Sequence, residues 1–139
     1  MGTRGFWGIV KDAEEKMIYN HYDSYPLHLG KNVVFAIQNG LENIEKVFDK
    51  IILVKNINNL SEEDSSFILG SPEDLAMYDL KEKYFAETAR NFFDNDGWLE
   101  YGYMIDLDKG VLCLYEMREV IAEIELNNLK IQSVIDAFD

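Results

Sequence analysis

Residues 98–126 read WLEYGYMIDLDKGVLCLYEMREVIAEIEL, and this run decides the fold class. From Trp98 to Leu107 and from Val111 to Glu116 the chain is rich in aromatic and β-branched residues, with Asp108-Lys109-Gly110 between them. Two such runs joined by a short glycine-containing loop predict a β-hairpin. Val120, Ala122, Ile124 and Leu126 then alternate with Glu119, Glu123 and Glu125. A period of two predicts one further strand with a face in water.

The N-terminal segment has the same character. Thr3 to Val10 and Lys16 to Tyr22 flank the polar stretch Lys11-Asp12-Ala13-Glu14-Glu15 and predict another hairpin. Gly5 and Gly8 inside its first strand point to a bulge or to the close approach of another group. Pro26 and Gly30 are expected to end the extended segment.

Helical spacing occupies the middle of the chain. Val33, Val34 and Ile37 mark a helix from Lys31 to a stop at Asn39-Gly40. Leu41, Ile44, Val47, Phe48, Ile51 and Ile52 mark a second, with Glu42, Glu45, Lys46 and Asp49 on its opposite face. Residues 56–72 are polar and loop-like, with Ser61 and Asp64 placed to cap a short helix. Tyr84, Phe85, Ala89, Phe92 and Phe93 form an aromatic stripe that predicts a core-facing helix over 81–94, closed by Asn95-Asp96-Gly97. Ile131, Val134, Ile135 and Phe138 mark a short C-terminal helix. Strands at both ends with helices between predict a single α+β domain over 1–139: an antiparallel sheet of two hairpins and one further strand, packed on three to five helices.

Composition narrows the function classes. The 139 residues are 47% hydrophobic and 13% aromatic, enough for one core despite 26 acidic against 13 basic residues and a net charge of -13. No basic run is present to neutralise phosphates, so direct nucleic-acid binding is disfavoured. The acidic surface favours basic partners or serves solubility alone, and the sign of the charge does not choose between them. The lone Cys113 forms no internal disulfide and lies in an alternating apolar segment, in keeping with a reducing compartment. No stretch approaches the roughly 18 apolar residues that cross a bilayer, and a cytoplasmic protein with no membrane contact is expected. Met1-Gly2 does not extend to a myristoylation signal, because Phe6 stands where Ser or Thr is required.

The densest polar and aromatic run is Tyr19-Asn20-His21-Tyr22-Asp23-Ser24-Tyr25-Pro26. A strand continued to Asp23 would put His21 and Asp23 on one face, suited to general-base work or to metal ligation. One His and one Asp fall short of the three or four ligands a metal site needs, so a structural hydrogen-bonding role is preferred. Arg4, in an otherwise apolar strand, is suited to forking a carboxylate or phosphate, or to a partly buried ion pair with Asp23. Arg4, Asn20, His21, Asp23 and Tyr25 are the candidate ligand-binding residues. Asp106 and Asp108 begin like a calcium loop, but the pattern fails at Gly110 and Val111 and turn chemistry accounts for them. Asp94-Asn95-Asp96-Gly97 fails in the same way. No cofactor or metal is expected. Glu42, Glu45 and Asp49, with Glu62, Glu63, Asp64, Glu73 and Asp74, form the candidate partner-binding array, able to imitate a phosphate backbone.

Thr3-Arg4-Gly5, Tyr19 to Pro26 with Leu29-Gly30, and Tyr103-Met104-Ile105-Asp106-Leu107-Asp108 together resemble a family of small phage and prophage proteins. That family has GTRG-, YNHxDSYPSxLG- and YxIDLD-like segments and a later tyrosine, here Tyr115; Leu27 stands where the family carries Ser. The resemblance covers about the first thirty residues and the second hairpin and brings no catalytic residues. It implies a mobile-element context, in which small acidic proteins often inhibit host defences, including CRISPR effectors. Two alternatives are an N-terminal-nucleophile-like hydrolase and a small anionic-ligand or nucleotide binder built on Arg4, Asn20 and Asp23. The hydrolase would need Thr3 freed by a cleavage beyond Met1 removal, since Gly2 offers no nucleophile.

Overall fold

The computed structural model describes residues 3–53, 61–63, 72, 75, 84–86 and 99–139. Strands β1 (Gly5–Lys11) and β2 (Glu14–Asn20) form the first hairpin. Its turn is shorter than the polar stretch suggested. Only Asp12 and Ala13 lie between the strands, at φ 54° and 63°, the mirror-image turn whose twist matches the flanking strands. Alanine does not favour that conformation, and the second hairpin holds it in place: the Asp108 carboxylate accepts the Asp12 and Ala13 backbone N–H groups at 2.8 Å each.

Those two donors hold the Asp108 carboxyl below the usual carboxylate range. A folded-state value below the unfolded one stabilises the protein above the ordinary carboxylate range, and that contribution is lost as pH falls through the lowered value. Asp108→Asn is therefore expected to melt lower than the wild type at neutral pH, with the gap closing in acid. Melting temperatures of both proteins from neutral pH down to about pH 2 check this; a gap independent of pH would assign the effect to something other than the carboxylate charge.

Strands β5 (Tyr101–Asp106), β6 (Val111–Glu116) and β7 (Glu119–Glu125) form an antiparallel meander. Asp106 closes the β5–β6 loop by accepting Lys109 N–H on its side chain and Gly110 N–H on its carbonyl, both at 2.9 Å. Turn chemistry thus accounts for Asp106, whereas the Asp108 carboxylate serves the turn of the first hairpin and not its own. Met117 and Arg118 make the next turn, again with positive φ. The five strands run in the order β2-β1-β5-β6-β7, and β1 pairs with β5 in parallel. The sheet is therefore mixed, not wholly antiparallel as expected. Alternation specifies the pairing inside each hairpin, but not the direction in which one hairpin docks beside the other.

Three helices lie among the described residues: α1 (Lys31–Gln38), α2 (Leu41–Lys50) and α3 (Ile131–Phe138). Pro26 to Gly30 follows the extended segment, as expected. It forms a π-turn with Pro26 in its first turn that runs directly into α1. Gly30 is small there because the Tyr103 ring lies 2.9 Å from where a Cβ would sit. The second helix ends at Lys50, and Ile51–Leu53 is strand β3, paired in parallel with β4 (Tyr84–Ala86). Two expectations are corrected here: Ile51 and Ile52 leave the helix, and Tyr84 and Phe85 are extended rather than helical. Ile52 is 43% exposed, so the spacing that included it did not mark a buried face. The rest of the 81–94 stripe, the turn at 94–97 and the cap at Asp64 lie outside the described residues. No described helix is long and apolar enough to cross a membrane.

The register gives the sheet two distinct faces. On one, Trp7, Ile9, Ile18, Tyr103, Ile105 and Leu112 pack with Val33, Ile44, Val47 and Val134 of the helices. On the other, Phe6, Met17, Leu99, Met104 and Cys113 form a second buried cluster, flanked by Tyr19 and Tyr115. Gly5 and Gly8 lie in regular register, so close approach and not a bulge explains them. A Cβ at Gly5 would meet the Tyr101 carbonyl, and one at Gly8 the Lys16 carbonyl. Burial pushes the Cys113 thiol up, as expected of an inert strand cysteine.

Candidate functional site

Strand β2 stops at Asn20, and the Tyr19 to Pro26 run becomes a loop tied to the start of the chain. The Asn20 side-chain amide donates to the Tyr22 carbonyl and, at 2.8 Å, to the Ser24 hydroxyl, which donates back to the Asn20 carbonyl at 3.3 Å. Ser24 is fully buried; its N–H donates to the Thr3 carbonyl at 3.3 Å, and its carbonyl accepts the Tyr103 hydroxyl at 2.8 Å. Asp23 takes φ 54° and its carbonyl accepts Leu29 N–H at 3.2 Å. The Asn20 and Ser24 side chains thus fasten the loop that leads into the π-turn.

This arrangement corrects two expectations. His21 and Asp23 do not share a strand face, because the strand ends before them; the His21 Nδ1 instead faces the Tyr19 hydroxyl at 2.7 Å. Arg4 and Asp23 are both exposed rather than partly buried, so the cost expected for breaking a buried pair does not apply. A polar cleft of about 180 Å³ lies beside this loop, lined by Asn20, Tyr22, Asp23, His28, Leu29 and Asn32. It brings Asn20 and Asp23 together, whereas Tyr25 faces another groove and Arg4 lines neither. Among the described residues no group of three His, Cys, Asp or Glu side chains could hold a metal ion. Thr3 is 4% exposed, a poor position for a nucleophile that must meet substrate.

No family model, curated protein or solved structure matches this chain. The candidate sites therefore rest on geometry alone.

Helix α2 presents the acidic array as the spacing predicted. Glu42, Glu45 and Asp49 are exposed on its solvent face. Lys46 lies 3.4 Å from Glu42, while Lys11 reaches from β1 to Asp49 at 2.8 Å and Glu45 at 3.5 Å. The hydrogen bond to Asp49 raises the Lys11 pKa above its ordinary value. These are solvent-exposed pairs that position side chains more than they stabilise the fold. Glu62 and Glu63 are exposed in a turn, and Asp64, Glu73 and Asp74 lie outside the described residues. A further row of exposed carboxylates, Glu119, Glu123 and Glu125, projects from β7, with Lys109 bridging to Glu123 at 3.3 Å. Their alternation with apolar residues was legible, but was read only as a solvated strand face.

A second groove, of about 370 Å³, was not foreseen. The π-turn residues Tyr25, Leu27 and His28 form one wall, with Tyr101 of β5 and Ile135 and Phe138 of α3 opposite. Leu27 is 60% exposed and Tyr25 42% exposed on its rim. A leucine directly after Pro26 in a polar loop was the available sequence signal.

Proposed function

We propose that this chain is a binding protein that docks its carboxylate-bearing surface onto a basic surface of another protein, one that otherwise holds a nucleic-acid backbone. The carrying observation is a contrast within the molecule. Asn20 and Ser24 of the Tyr19 to Pro26 motif are engaged in fastening a loop, whereas the carboxylates of α2 and β7 project into water. With 26 acidic residues against 13 basic ones, the chain's own cations leave a large negative excess for a partner. The resemblance to phage and prophage proteins makes an inhibitor of a host-defence nucleoprotein, anti-CRISPR-like in action, the biological form of this reading. The enzyme alternative has less support, because Thr3, the nucleophile it would need, is buried.

The test is affinity capture from host lysate, with partners identified by mass spectrometry and then purified. Association should slow markedly between low and physiological salt, and duplex nucleic acid should compete for the same partner. The triple variant Glu42→Gln, Glu45→Gln, Asp49→Asn should lose rate while melting close to the wild type, because the residues are exposed. A partner bound at a rate indifferent to salt, without nucleic-acid competition, would sink the proposal.

A further inference from the structure

We infer that the groove between the π-turn and α3 receives an arginine side chain of the partner, its guanidinium held among the rings of Tyr25, Tyr101 and Phe138. This rests on the docking reading above and names the recognition chemistry of a second region of the same surface.

The rings are arranged to receive a planar cation. Tyr25 and Tyr101 have centroids 6.2 Å apart at 56°, and Tyr101 and Phe138 lie 5.3 Å apart at 73°. His28 stands 6.0 Å from Tyr25 on the same rim. Tyr101 and Phe138 cover part of each other in an edge contact, while Tyr25 stands 42% exposed on the rim, and a guanidinium stacks on a solvent-facing ring more readily than an ammonium does. The groove's volume of about 370 Å³ is at the small end for ligand pockets and suits one long side chain with its flanking backbone.

Charge selects the cation over a neutral or anionic occupant. No Lys or Arg lines the groove, and Asp139 does. Glu116 lies directly opposite Tyr101 across the β5–β6 ladder, and Glu100 precedes Tyr101 in the chain. The Tyr101 phenol is raised by burial first, then by Glu116, Glu100 and Tyr25, so the charges bearing on that ring are negative. An apolar peptide would gain the same walls but nothing from this field.

The probe is the blocked tripeptide Ac-Gly-Arg-Gly-NH2, with Ac-Gly-Gln-Gly-NH2 and Ac-Gly-Phe-Gly-NH2 as controls, titrated at millimolar concentration while the ring resonances of Tyr25, Tyr101 and Phe138 are followed by NMR. The arginine peptide should shift those signals saturably, about five- to tenfold more tightly than either control. Tyr25→Leu, which keeps apolar area but removes a ring at an exposed position, should weaken the arginine peptide about fivefold, and Glu116→Gln should weaken it further. The inference is overturned by equal binding of a control peptide, by no saturable shift, by an undiminished response in Tyr25→Leu, or by ring shifts that follow protein concentration alone and so place a second copy in the groove. The α2 triple variant should keep the arginine response. Failure of the docking reading appears in partner capture, and failure of this inference appears only here.

Discussion

Lys16→Met is expected to destabilise the fold by about 2–4 kcal/mol, read as a lower urea midpoint at unchanged slope. Lys16 is 6% exposed, and its ammonium donates to the Phe48 and Ile51 carbonyls at 2.7 Å each. Phe48 lies in the last turn of α2, where carbonyls have no partner within the helix and the helix dipole favours a cation. The Phe48 ring adds a face 3.9 Å from the ammonium. Methionine keeps most of the apolar stem but removes two charge-assisted hydrogen bonds, each worth about 1.5–3 kcal/mol; the Phe48 carbonyl keeps the Ile51 N–H as a donor, so the larger share of the loss falls at Ile51. A midpoint within about 0.5 kcal/mol of the wild type would show that water replaces the ammonium there.

The same residue carries a pH signature. Burial pushes the Lys16 pKa down, and the nearby Glu14 and Asp49 carboxylates only partly restore it. A lysine whose folded value lies below its unfolded value binds fewer protons when folded, so its contribution to stability rises as pH climbs from the lowered value toward the ordinary 10.5. Lys16→Met should lack that slope. The difference between the two proteins should therefore widen on the alkaline side.

Lys16 also shows why parts of the fold were legible in the sequence and others were not. The strands of both hairpins follow from their aromatic and β-branched composition between turn residues, and α1 and α3 from an apolar face that repeats along the helix. The end of α2 does not. The spacing of Ile44, Val47, Phe48 and Ile51 continues past Lys50, and the helix stops where a lysine thirty-odd residues earlier donates to the Phe48 carbonyl inside it and the Ile51 carbonyl just beyond it. The parallel β1–β5 contact and the Asp108 cap are likewise interactions between distant segments, and no local pattern encodes them. For the candidate site, the Tyr19 to Pro26 motif was visible as a dense polar run. Its role was not, since whether Asn20 and Ser24 bind a ligand or a loop depends on where Thr3 and Tyr103 lie.

Gly102→Ala is expected to lose about 1–3 kcal/mol, the range typical of overpacking. Gly102 is paired with Phe6 on β1 and with Tyr115 on β6, so those two side chains flank it on one face of the sheet. Having no side chain, it lets the rings meet across β5, with centroids 5.3 Å apart in an edge contact. An added Cβ would collide with the Phe6 ring, which is fully buried and has no open space to enter. Strand propensity alone would predict no loss, because alanine suits a strand at least as well as glycine does. The steric origin is testable by a double-mutant cycle. Phe6→Leu alone should cost about 1 kcal/mol by giving up ring contacts, yet it opens the space the new methyl needs. The double variant should therefore be more stable than the sum of the single losses predicts, with a coupling of about 1 kcal/mol or more in denaturant titrations of the four proteins. Strict additivity would mean that the Gly102 methyl is accommodated by backbone movement and that the two rings do not require the glycine between them.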